Sequence, residues 1–89
     1  MGVLEDLGDD LARKCFEAMA EMKDDRFFND VAKVIGTSSP SLQEAFLTSM
    51  RLRLAAERGH KFIDDTMRSR REGGKAPAAP RDTEPLGGH

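Results

Sequence analysis

The run from Pro40 to Arg71 constrains the fold more than any other stretch of this chain. Its apolar and small residues recur at Leu42, Ala45/Phe46, Ser49, Leu52, Ala56, Gly59, Ile63 and Met67. Steps of three or four residues place these side chains on one stripe of an α-helix. The phase holds across Gly59, which predicts one helix over about 39–71. The alternative is a C-cap at Gly59 followed by a short helix from Lys61. If the helix is continuous, a glycine on its stripe is expected to let a neighbouring helix come close. A second apolar set, Leu47, Met50 and Leu54, falls on another face, so the first half of this helix should be covered on two sides.

Two shorter helices are expected upstream. Leu4, Leu7, Leu11, Cys15, Ala18 and Met22 form a helical stripe from Val3 to Lys23, widened by Ala12, Phe16 and Met19. The other face carries Glu5, Asp6, Asp9, Asp10, Arg13, Lys14, Glu17 and Glu21, with acids in the first turns, where the helix dipole favours them. Gly8 weakens the helix interior, so a start after it, with Asp9 as N-cap, is the alternative. Asp24-Asp25 offers a cap for a short apolar helix over about 26–35, built on Phe27, Phe28, Val31, Val34 and Ile35. Gly36 is expected to end it in the left-handed conformation. Ser38 or Ser39 then caps the long helix, with Pro40 in its first turn. The expected fold is all-α: three helices with a corner at Gly36, forming one helical domain over residues 1–71. The Pro-, Gly- and Ala-rich residues 72–89 read as a disordered tail.

Helix length points to a partner. Residues 40–71 span about 48 Å and residues 3–23 about 31 Å at 1.5 Å per residue. Phe62, Ile63 and Met67 are therefore expected to lack an intrachain cover. With about seventy ordered residues the chain is a marginal monomer. A homodimer, or a complex with another protein, is expected through Leu47, Met50, Leu54, Phe62, Ile63 and Met67.

Several function classes are set aside. The longest uninterrupted apolar run is three residues, so no membrane span is expected. The acidic N-terminus lacks the basic start and apolar core of a signal peptide. The single cysteine, Cys15, cannot form an internal disulfide and falls on an apolar stripe, which suits a buried thiol. The chain is therefore expected to be cytoplasmic. No nucleophile–base set, phosphate-binding glycine loop or metal-ligand spacing is found, so neither enzymatic activity, a small-molecule substrate nor a cofactor is expected. Charge is uneven: residues 1–25 carry −5 and residues 26–71 carry +4, within a net −2. Either the acidic first helix packs beside the basic third, or the basic segment meets an anionic partner.

The segment Val31-Ala32-Lys33-Val34-Ile35-Gly36-Thr37-Ser38-Ser39-Pro40-Ser41-Leu42 resembles the helix-turn-helix motif of bacterial-type DNA-binding regulators, over roughly residues 28–47. Ala32 is the small residue four before the glycine. Val31 and Ile35 are apolar five and one before it. Ser38 is the polar helix starter two after it, and Leu42 the apolar residue six after it. Thr37 stands where an apolar residue is usual. The resemblance implies a steep helix crossing over a short turn. It also implies a transcriptional regulator contacting DNA through Lys33, Ser38, Ser39, Ser41 and Gln43, with phosphate contacts from Arg26, Arg51 and Arg53. Three readings follow: a dimerising helical interaction module, a DNA-binding regulator, and a small subunit of a larger assembly.

Overall fold

The structure is a computed structural model, and it describes residues 2–73. The expected tail lies outside the described residues from Gly74 onward. Among the described residues the chain is all-α, with α1 at Val3–Met22, α2 at Phe27–Ser38 and α3 at Pro40–Arg71. The chain divides into two units, one up to Ala55 and one from Ala56.

In the first unit, Ala12, Cys15, Met19, Ala32, Phe46 and Met50 form a buried core. Leu11, Phe16, Phe27, Phe28, Val31, Ile35, Leu47 and Leu54 pack against it. The buried line of α1 is Gly8, Ala12, Cys15 and Met19, which differs from the expected leucine stripe. Leu4, Leu7 and Met22 remain 39, 50 and 50% exposed. The reason is close approach. A Cβ built on Gly8 would lie 2.8 Å from the Ala45 Cβ and 2.9 Å from the Ala45 carbonyl carbon. Backbone meets backbone there, so only a glycine fits. Gly8 is thus inside α1, and the helix does not start after it.

Backbone groups close α1, and one side chain shapes the turn after it. Lys23 closes α1 in the left-handed region at φ 57°, ψ 42°, and the N–H groups of Lys23 and Asp24 both donate to the Met19 carbonyl. The Asp24 carboxylate accepts the Arg26 N–H at 3.0 Å, which shapes the turn into α2. The N-cap residue of α2 is Arg26, and neither Asp24 nor Asp25 takes that position.

The corner between α2 and α3 differs most from expectation. Gly36 lies inside α2, and the chain turns at Ser39. Proline disfavours helical backbone in the residue before it, so Pro40 holds Ser39 extended at φ −153°, ψ 103°. Ser39 then serves both helices. Its N–H donates to the Ile35 carbonyl at 2.9 Å, and its Oγ accepts the Leu42 N–H at 3.0 Å. Gly36 has a different use. The Gln43 amide lies over it and donates to the Ala32 carbonyl at 3.0 Å. A Cβ on Gly36 would sit 2.7 Å from the Gln43 amide nitrogen.

Helix α3 is unbroken through Gly59, as the periodicity predicts. In the second unit, Lys61 and Arg68 both donate to the Asp65 carboxylate, at 2.7 and 2.8 Å. These i,i+4 and i,i+3 pairs support the helix. The two hydrogen bonds hold the Asp65 carboxyl below its ordinary value. Gly73, at φ 77°, takes the left-handed position just past the helix end.

Candidate interaction surfaces

Large apolar side chains of α3 are open in each unit. Leu52 is 67% exposed, Ile63 58% and Met67 47%. Ala55, Ala56 and Gly59 lie between them and are also exposed. A Cβ on Gly59 would meet nothing within 4 Å, so the close approach expected there is found at Gly8 instead. Within the second unit, the spacing of Ala56, Gly59, Ile63 and Met67 keeps these residues on one side of the helix. No Asp, Glu, Lys or Arg occupies these positions. A run of exposed apolar residues on one helix face is unlike the scattered single apolar residues of an ordinary surface.

The residues expected to meet a partner are divided by the structure. Met50 is fully buried in the core and cannot face a second chain. Leu47 and Leu54 are half-buried against the same core. Phe62 is half-buried, while Ile63 and Met67 are open. Leu52, expected on the packed stripe, is among the most exposed apolar residues. The first stripe is divided: Phe46 and Ser49 turn inward with Met50 of the second set, while Leu52 turns outward.

A shallow groove of about 360 Å³ lies between the start of α1 and the first half of α3. Leu4, Ala45 and Leu52 supply its apolar lining, and Glu5, Asp9 and Glu44 supply its charge. Among the described residues none of these three carboxylates has an ion-pair partner, the pairs being Arg13 with Asp10 and Glu17, and Asp65 with Lys61 and Arg68. Arg53 lies near the groove. Its guanidinium donates to the Ser49 Oγ at 3.3 Å and to the Asp9 carbonyl at 3.5 Å, so it contacts backbone and hydroxyl oxygens.

The corner residues implied by the helix-turn-helix resemblance are used unequally. Ser39 and Gln43 are engaged in the internal hydrogen bonds that form the corner. Arg26, Lys33, Ser38, Ser41 and Arg51 are exposed, and Arg53 is half-buried. Cys15 is buried, and burial pushes its thiol pKa up. Among the described residues no three His, Cys, Asp or Glu side chains come together to hold a metal ion, and no helix is long and apolar enough to cross a membrane. No protein-family model matches the chain, and neither a curated protein nor a solved structure matches it.

Proposed function

We propose that this chain is a helical protein-interaction module that self-associates through the open apolar residues of α3 and acts by binding rather than by catalysis. The observation that carries this reading is the exposure of three large apolar side chains of α3, Leu52 in the first unit and Ile63 and Met67 in the second, each about half or more open. Complete burial of such a side chain is worth about 1.5–3 kcal/mol, so the exposed parts of Leu52, Ile63 and Met67 offer roughly 1–2 kcal/mol each. Six such side chains in a symmetric pair give a gross gain of roughly 10 kcal/mol, against an association cost of about 4–15 kcal/mol. The pairing is therefore weak and concentration-dependent, in the range where a regulated interaction can form and dissociate. Sedimentation velocity over a dilution series around micromolar concentration tests it. A reversible shift toward twice the 9.8 kDa chain mass is expected. A single monomer species throughout the series removes the reading.

The other reading is duplex DNA binding at the corner, for which the exposed Lys33, Ser38, Ser41 and Arg51 are the available contacts. Retention of labelled duplex that weakens steeply with salt would favour it. Absence of retention at low salt would dismiss it.

A further inference from the structure

Beyond self-association, and independent of it, we infer that the first unit carries a docking groove for a cationic amphipathic helix supplied by another protein. The groove between the start of α1 and the first half of α3 lies wholly within that unit. Its shape, its apolar walls and its unpaired carboxylates together define the occupant.

One wall belongs to α3. Ser41, Glu44, Thr48 and Leu52 follow one another in steps of three and four, so they share one face over about 16 Å, or roughly three helical turns. The other wall is the start of α1, with Leu4, Glu5 and Asp9. The close approach of Gly8 to Ala45 holds the two walls together, and the occupant lies above that crossing without displacing it. Leu4 is 39% and Leu52 67% exposed, so apolar surface is left for the occupant to cover. A small-molecule site encloses most of its ligand, whereas this groove is shallow and open, which suits the apolar face of a helix laid along it.

Charge decides which kind of helix. Glu5, Asp9 and Glu44 line the groove, and none has an ion-pair partner among the described residues. Asp9 and Glu44 lie beyond the first turns of α1 and α3, where the helix dipole no longer offsets a negative charge. Glu5 and Asp9 are four residues apart on α1, a like-charge spacing that destabilises a helix. The nearby cations are engaged elsewhere. Arg13, four residues after Asp9, pairs with Asp10 at 2.7 Å and Glu17 at 3.6 Å. Arg53 donates to the Asp9 carbonyl and the Ser49 Oγ and not to a carboxylate. Lysines or arginines on a docked helix supply the missing positive charge, beside apolar side chains that cover Leu4 and Leu52. The same carboxylates repel phosphate, which disfavours a nucleic acid or an anionic membrane on this face.

The test is a titration of the isotopically labelled full chain with a synthetic helical peptide of about fifteen residues, with leucines at every third or fourth position and lysines beside them, followed by backbone amide NMR shifts. Saturable shifts concentrated in residues 4–9 and 41–52, weakening as salt is added, are expected. Shifts spread over the whole acidic face of α1, Glu17 and Glu21 included, or no shifts at all, overturn the proposal. A peptide with glutamates in place of the lysines should bind at least about tenfold more weakly, and equal binding overturns it. Asp9→Lys with Glu44→Lys should lower the affinity at least about tenfold. Glu21→Lys with Asp25→Lys, the same change of net charge outside the groove, should leave it within about threefold. Equal effects of the two pairs overturn the proposal. Should the reversed pair fail to fold, Leu52→Ala at an exposed position reads the same groove, with several-fold weaker binding expected and unchanged binding overturning the proposal. Dilution of the chain without peptide that moves Glu5, Asp9 and Glu44 together assigns the groove to a second copy and overturns the outside partner.

Discussion

Replacing each of three helical glycines by alanine gives a sharp test of the packing, because the same chemical change meets three different surroundings. Alanine gains about 1 kcal/mol over glycine in a helix interior at all three sites. At Gly59 that gain stands alone, since a Cβ there meets nothing within 4 Å. At Gly36 the new Cβ displaces the flexible end of Gln43 and its bond to the Ala32 carbonyl, so a loss of about 1 kcal/mol offsets the gain. At Gly8 the Cβ meets the Ala45 Cβ at 2.8 Å and its carbonyl carbon at 2.9 Å. Backbone atoms cannot swing aside, so α1 must move off α3 and disturb the contacts of Ala12, Cys15, Phe46 and Met50. Overpacking of this kind costs about 1–3 kcal/mol, and contact with backbone puts it toward the upper end. The net expectation for Gly8→Ala is a loss of roughly 1–2 kcal/mol, or a fall in Tm of about 5–15 °C for a chain of this size. Gly36→Ala should be near neutral, and Gly59→Ala should gain about 1 kcal/mol. Urea unfolding followed by far-UV circular dichroism, at a concentration low enough to keep the chain monomeric, measures all three. A Gly8→Ala protein as stable as the wild type would refute the close crossing of α1 and α3.

Lys23→Gly should stabilise the chain by about 1 kcal/mol in the same assay, because it relieves a side chain held at positive φ. A loss of stability would contradict the left-handed end of α1. Ser39→Ala removes the oxygen that accepts the Leu42 N–H and should destabilise by about 1 kcal/mol, with Ser38→Ala within about 0.5 kcal/mol of wild type. The reverse order would return the cap to Ser38. The Asp65 carboxyl is held below its ordinary value by Lys61 and Arg68. Its support of α3 is therefore present above the unfolded carboxylate value and is lost as pH falls through the depressed folded value. Helicity followed by circular dichroism should show an acid decrease that Asp65→Asn reduces, and an unchanged acid profile in the variant would contradict the pairing.

The three helices were legible because each carries an unbroken three-or-four spacing, and α3 kept its phase across Gly59. The phase of α1 was less legible. Large leucines dominate a hydrophobic pattern, yet Gly8 and Ala12 are the residues that let the backbones approach, and Leu4 and Leu7 flank them. Glycine commonly ends helices, which favours Gly36 as the corner, yet Gly36 lies inside α2. The restriction that Pro40 places on Ser39 acts more directly and was readable in the same few residues. Of Phe62, Ile63 and Met67, all expected without intrachain cover, Ile63 and Met67 are open and Phe62 is half-buried. Met50 was not separable from Leu52 by periodicity alone, since both lie on apolar stripes of one helix. The choice between them depends on where α1 crosses α3, which the small residues Gly8 and Ala45 determine.

Self-association through the open apolar residues of α3 is tested most directly by sedimentation equilibrium of the wild type beside Leu52→Glu and Ile63→Glu. Both positions are exposed, so helicity and unfolding of the isolated chain should stay within error of the wild type. The wild type should associate reversibly toward twice the chain mass, and each variant should remain at 9.8 kDa at the same concentration. A wild type that stays monomeric at tens of micromolar, or variants that associate as it does, would contradict the claim.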